Sequence, residues 1–184
     1  MSDLRQRSDV ATATEESRAQ PGLNTDGHRL LGIYLRDHLG GASAGLALVR
    51  RCRRAQHDPS SASVLAGIEA QILEDRESLR ALMERLGVSE SRLKKVFGRV
   101  AAAASRLKSN GRLLRSSSAN LVVDLEALSA GIVTKRNLWL SLLAVADSYS
   151  ALDPMSLGVL VERATSQVDR LRPVHDRAAA AAYA

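Results

Sequence analysis

The chain has 184 residues, of which 45% are hydrophobic, 25% charged and 3% aromatic, and its formal net charge is +6 at pH 7. This length corresponds to about one ordinary domain, and the apolar fraction is sufficient for a core. The composition excludes a collagen-like chain, a disulfide scaffold and a wholly disordered protein. Since a single cysteine cannot form an internal disulfide and no apolar run approaches the roughly 20 residues of a membrane helix, we expect a cytoplasmic protein without a membrane span.

Residues 1–27 contain few large apolar side chains and lack the apolar middle of a secretory signal. Because they bury too little surface to offset the entropy lost on ordering, we expect them to form a disordered tail. Residues 28–184 then make up a single domain. Apolar side chains recur in it at three-four spacing almost throughout, which predicts an all-helical fold.

Five helices are predicted in chain order. Their approximate ranges are 28–54, 61–86, 89–109, 118–147 and 154–172. The second helix illustrates the pattern, because one of its faces consists of residues at three-four spacing. That face contains Leu65, Ile68, Ile72, Asp75, Leu79, Leu82 and Leu86.

Turn and cap residues set the predicted boundaries. Gly87 is a candidate for the left-handed residue that follows a helix, and Ser89 for the N-cap of the third helix. Asp153-Pro154 combines an N-cap with a proline in the first turn, where the missing N–H is not needed. Pro173 is expected to kink or end the last helix.

Four of these helices are long and the third is short. This pattern favours an antiparallel four-helix bundle of ferritin-like connectivity, in which the short helix belongs to the crossover between two hairpins. A plain five-helix up-and-down bundle is the alternative.

Four segments carry a resemblance to known proteins. They are YLRDHLGGASAG (34–45), ILEDRESLRALMERLGV (72–88), RLKSNGRLL (106–114) and LVVDLEALSAGI (121–132). Through them the chain resembles an uncharacterised family of actinobacterial proteins whose architecture is similar to ferritin-like bundles. The resemblance covers about residues 28–172; it implies a fold and no activity.

Two polar residues, His38 and Asp75, interrupt the apolar faces of the first two helices. Residues that face each other across a hairpin lie at similar distances from its turn, and by this measure His38 faces Asp75. A buried carboxylate needs a partner, so we predict a hydrogen bond or ion pair between them. The pair either fixes the register of the hairpin or belongs to a metal or small-molecule site of a ferritin-like core.

Four acidic residues are candidates to join such a site: Glu69, Asp37, Asp124 and Glu126. Di-iron bundles need a Glu-x-x-His sequence on each of two helices. No glutamate lies three residues before any of the four histidines, so we expect no metal and no cofactor.

Other catalytic patterns are lacking, and no residue is a candidate for a catalytic role. Gly40, Gly41 and Gly45 lie inside the first helix, where small residues favour close helix packing rather than a phosphate loop. Cys52 stands among arginines that would lower the pKa of its thiol. It also continues the apolar face, which favours a buried, inert thiol.

Positive charge is concentrated in residues 89–117, which have one acidic residue and a net charge of +7, whereas the rest of the chain carries −1. This segment is a candidate for binding nucleic acid or another polyanion, or it is a solvated helix face. Its basic residues are Arg92, Lys94, Lys95, Arg99, Arg106, Lys108, Arg112 and Arg115.

The sequence favours a non-catalytic helical bundle that acts by association with a protein partner or a second copy. Leu138, Trp139 and Val159 are candidates for the apolar contact surface. Polyanion binding through residues 89–117 is the alternative. A metal or small-molecule site around His38 and Asp75 is the third hypothesis.

Overall fold

The computed structural model describes residues 25–90 and 118–184. The described part of the chain is helical and contains no strand, which confirms the predicted all-helical class. Its elements are α1 (Thr25–Ala55), α2 (Pro59–Arg85), α3 (Ser118–Ala144), a short 3-10 helix (Ala146–Ser148) and α4 (Pro154–Tyr183).

Two predicted features fall largely on residues that are not described. Of the predicted tail, residues 1–24 lie outside the described ranges, and α1 begins at Thr25, three residues before the predicted start. Most of the predicted third helix and all eight basic residues proposed to bind anions lie within residues 91–117, which are also outside those ranges.

Contacts divide the chain into two units, Met1–Leu31 and Gly32–Ala184. The described residues of the first unit form the opening turns of α1. The second unit contains the remainder of α1 and the other helices, which form a helical bundle. Among the described helices, none has a stretch that is both long and apolar enough to cross a membrane.

Aspartate followed by proline begins two of the helices. The carboxylate of Asp58 accepts hydrogen bonds from the backbone N–H groups of Ser60 at 3.2 Å and Ser61 at 3.0 Å. Asp153 caps α4 in the same way, as its sequence predicted. The cap at Asp58 moves the start of α2 to Pro59, two residues before its predicted start.

Gly87 ends α2 as predicted. It has a φ of +67°, the left-handed conformation that glycine adopts without steric cost. The N–H of Val88 donates to the carbonyl of Met83 at 2.8 Å, and the N–H of Gly87 donates to that of Glu84 at 2.9 Å. These two bonds form a Schellman motif, which satisfies carbonyl groups that the helix itself leaves unpaired.

All four helices contribute to one hydrophobic core, which includes Val49 of α1, Ile68 of α2, Leu125 of α3 and Leu171 of α4. The predicted apolar face of α2 is confirmed, because all seven residues assigned to it, the first Leu65 and the last Leu86, are buried. Burial of a Leu, Ile or Val side chain contributes about 1.5–3 kcal/mol, so these faces hold the helices together.

Pro173 was expected to kink or end the last helix, and the second alternative is wrong, since α4 continues to Tyr183. Proline removes one backbone hydrogen bond, but Val174 and Ala178 beyond it are buried in the core. Tertiary packing and the alanine-rich sequence 178–182 therefore outweigh the local cost.

Candidate ligand-binding cavity

Residues of α1, α2 and α3 line a cavity of about 250 Å³. Small residues form much of its wall, among them Gly41 and Gly45 of α1 and Gly131 of α3. A Cβ atom added to any of these glycines would meet no atom of the described residues within 4 Å, and Gly41 and Gly131 are exposed, so the cavity is open to solvent on this side. A dry apolar cavity of about 150 Å³ accommodates benzene, and this one has room for a larger guest.

Trp139 contributes a buried hydrogen-bond donor to the cavity wall. It is the only tryptophan of the chain and is 1% exposed, and its indole Nε1 has no hydrogen-bond partner among the described residues. A buried donor without a partner costs about 1–3 kcal/mol, and such groups in native structures call for an explanation. The nitrogen has almost no accessible surface, so a ligand acceptor would reach it only after a small shift of the side chains that cover it.

Asp75 also borders the cavity, and it is 2% exposed. Its Oδ2 accepts hydrogen bonds from Lys135 of α3 and, at 3.4 Å, from Gln167 Nε2 of α4. Its Oδ1 accepts a hydrogen bond from Arg163 of α4 at 3.0 Å. The carboxylate thus joins three helices, and its cationic partners offset the cost of burying its charge.

The Lys135 ammonium is largely buried beside this carboxylate and donates a second hydrogen bond to Gln167 Oε1 at 2.5 Å. Burial lowers the pKa of Lys135, the Asp75 carboxylate acts in the opposite direction, and the Arg163 charge lowers it further. Gln167 in turn donates to Gln71 of α2 at 3.2 Å. The described groups therefore form a connected polar network beside the cavity.

The predicted hydrogen bond or ion pair between His38 and Asp75 is not formed. Among the described residues, the partners of Asp75 are Lys135, Arg163 and Gln167, and none of its bonds goes to His38. Both residues do line the same cavity, and Asp75 is buried as predicted, whereas His38 is half-buried.

The His38 ring packs edge-on against Tyr34, with ring centroids 4.5 Å apart. Burial lowers the pKa of His38, and the nearby Asp37 carboxylate only partly opposes this effect. The imidazole is therefore neutral at pH 7, and it offers the cavity a neutral donor or acceptor rather than a charge.

Arg76 is the remaining ionisable residue of the cavity lining. Among the described residues no carboxylate pairs with it, and its buried Nε has no hydrogen-bond partner. Asp75 balances the charge of Lys135, and Glu74 provides Arg163 with an additional partner at 3.1 Å. Among the described groups of the cavity wall, the Arg76 guanidinium is consequently the charge without a counter-ion.

The other acidic candidates lie apart from one another. Glu69 pairs with Arg50 at 2.7 Å and Arg53 at 3.1 Å, Asp124 pairs with Arg51, and Glu126 lies 3.4 Å from His175. Asp37 is exposed. Within residues 25–90 and 118–184, no group of three or more His, Cys, Asp or Glu side chains is arranged to hold a metal ion.

The interpretation of Cys52 as a buried thiol is confirmed, since it is fully buried in the core. Burial is the main cause that raises the pKa of the thiol to about 12, and the Asp124 carboxylate adds to it. A thiol with this pKa is almost entirely protonated at neutral pH and is therefore a poor nucleophile.

The sequence-based predictions include Asp75 and none of its network partners. Spacing along the helices could have revealed two of them, Lys135 and Gln167. Lys135 lies three residues after Ile132 and four before Trp139, on the buried face of α3. Gln167 occupies the matching position between Ala164 and Leu171 on α4. A polar residue that continues an apolar face at this spacing is a candidate for a buried network.

Comparison of the chain with protein-family models, with curated proteins and with solved structures finds no match. The resemblance to an actinobacterial family of ferritin-like architecture therefore stays a prediction.

Proposed function

We propose that this helical bundle is a binding protein that holds one small, mostly apolar molecule in the cavity between α1, α2 and α3. The observation that carries the proposal is the cavity of about 250 Å³ itself, whose largely apolar lining includes three glycines and the only tryptophan of the chain. Small-molecule sites combine apolar walls with a few polar groups that orient the ligand. This cavity has both.

The proposal includes the antiparallel, ferritin-like arrangement expected from the sequence. Short connections favour antiparallel neighbours in helical bundles. The connections at residues 56–58 and 145–153 support this arrangement for α1 with α2 and for α3 with α4.

Association with a protein partner has weaker support than ligand binding. Two of its three candidate contact residues, Leu138 and Trp139, are 1% exposed and belong to the interior. Val159 is exposed, at 56%.

Octanol is a suitable neutral probe, because it has one hydroxyl acceptor and an apolar chain. We expect a saturable change in Trp139 fluorescence and a higher melting temperature, since a ligand that binds only the native state stabilises it. The single indole N–H resonance in a proton–nitrogen NMR spectrum should shift as the N–H gains an acceptor.

A matched pair of variants locates the probe. Gly131→Leu fills the cavity and should abolish octanol binding, whereas Gly158→Leu, in α4 and outside the lining, should leave it unchanged. Equal binding by both variants would show that octanol binds elsewhere. Phe97 is the only phenylalanine of the chain and lies outside the described residues. Binding of octanol to Phe97→Ala but not to the wild type would mean that the chain itself fills the cavity, and the proposal would be wrong.

The charge of residues 89–117 favours a second candidate function, the binding of nucleic acid. Contacts with phosphates release counterions, so such binding weakens steeply as salt is added. A gel shift with duplex DNA should disappear at high salt and in a variant with four substitutions. The residues replaced by glutamine are Lys94, Lys95, Arg112 and Arg115.

A further inference from the structure

We infer that the ligand of the cavity is an amphipathic monocarboxylate whose carboxylate pairs with Arg76, an inference that rests on the proposed function. The positive charge of Arg76 has no counter-ion among the described residues, and its Nε is buried without a partner. A guanidinium matches the planar geometry of a carboxylate, and charge-assisted hydrogen bonds are the stronger kind.

The neighbouring groups favour an anion over a cation. Asp75, the carboxylate of the lining, already accepts bonds from Lys135, Arg163 and Gln167. It therefore has little capacity left for a cationic ligand. The Arg76 guanidinium is a donor group that no carboxylate among the described residues pairs with, so a ligand that binds it must supply an acceptor.

The apolar wall and the volume of the cavity restrict the polarity and the size of the rest of the ligand. A free inorganic anion would leave the surface around Leu128, Ile132 and Leu138 uncovered. A cavity of about 250 Å³ is small for a drug-sized molecule, since such sites span about 300–1,000 Å³. A short aliphatic or aromatic tail satisfies both limits.

Octanoate and octanol provide the test, because they share a chain and differ in the head group. We expect Arg76→Gln to weaken octanoate binding about ten-fold or more and octanol binding much less, because only octanoate carries a charge that pairs with the guanidinium. Arg76→Lys, which keeps the charge but loses the planar fork, should restore part of the loss.

Arg136→Gln is the matched control. Arg136 also has a buried Nε without a partner among the described residues but lies outside the cavity lining, so this variant should bind both probes like the wild type. An equal loss of octanoate binding in Arg76→Gln and Arg136→Gln would reveal only a net-charge effect and overturn the inference. If octanol binds and octanoate binds equally well to the wild type and to Arg76→Gln, the inference is overturned but the proposed function stands. If neither probe binds, the inference and the proposed function are both overturned.

Discussion

Asp75 is the residue whose replacement should be most costly, because its carboxylate is the shared acceptor of Lys135, Arg163 and Gln167. Asp75→Asn leaves the buried ammonium without its counter-charge, which typically costs about 3–5 kcal/mol. We expect the free energy of unfolding, measured by denaturant titration, to fall by about this amount.

A surface control and a double variant test this explanation. Asp37→Asn, at an exposed position of α1, should change the stability by less than about 0.5 kcal/mol. Replacing Asp75 by Leu together with Lys135 by Met removes both charges and should recover part of the loss. A double variant as unstable as Asp75→Asn would contradict the role assigned to the uncompensated charge.

The two capping carboxylates should make the protein sensitive to acid. Hydrogen bonds from Ser61 lower the pKa of Asp58 below its ordinary value of 3.8, and those from Ser156 lower that of Asp153 in the same way. Because the unfolded chain takes up these protons more readily, the stabilisation is complete above pH 3.8 and is lost as the pH falls through the lowered pKa values.

Asparagine caps helices nearly as well as aspartate but does not titrate. The double variant Asp58→Asn, Asp153→Asn should therefore match the wild type at neutral pH and lose less stability in acid. Unfolding followed by circular dichroism over a range of acidic pH measures the difference. Parallel acid curves for the two proteins would show that the caps do not contribute.

At the scale of the elements, one substitution should have opposite effects at two glycines. Gly87→Ala places a side chain in the left-handed conformation that ends α2, at a cost of about 1–2 kcal/mol. Gly158→Ala, in the interior of α4 with open space around its added Cβ, should stabilise the helix by about 0.5–1 kcal/mol. Thermal unfolding of both variants provides the comparison, and effects of the same sign would contradict it.

The helices could be predicted from the sequence because their signals are local. The apolar face of α2, the termination at Gly87 and the start at Asp153-Pro154 each depend on neighbouring residues. Asp58-Pro59 is the same Asp-Pro dipeptide as Asp153-Pro154. From the sequence it was interpreted as a helix break instead of a cap, and the start of α2 was therefore predicted two residues too late. The continuation of α4 through Pro173 could not be predicted in this way, since it depends on packing against other helices.

The site was predictable only in part. The burial of Asp75 follows from its place on an apolar face. Its partners, however, belong to α3 and α4 and lie 60 or more residues away from it in the sequence. The hairpin argument considered α1 and α2 alone and therefore assigned His38 as the partner. The cavity is a property of three helices together, and no single segment encodes it.

At the scale of the whole molecule, the core shared by all four helices predicts cooperative unfolding. Trp139 and Cys52 report on different parts of the interior, and both are buried. We expect Trp139 fluorescence, reactivity of the Cys52 thiol and helical circular dichroism to change over the same range of denaturant. A fluorescence transition at lower denaturant would mean that the helices around the cavity open before the rest.

The glycines of the cavity wall also have an evolutionary consequence. Positions 41, 45 and 131 lie inside helices, and a Cβ added there would meet no described atom within 4 Å, so many random substitutions should raise stability through helix propensity. A lineage selected only for persistence of the fold would therefore lose these glycines. Small residues retained at these three positions across descendants of a common ancestor would mark selection for the empty volume itself.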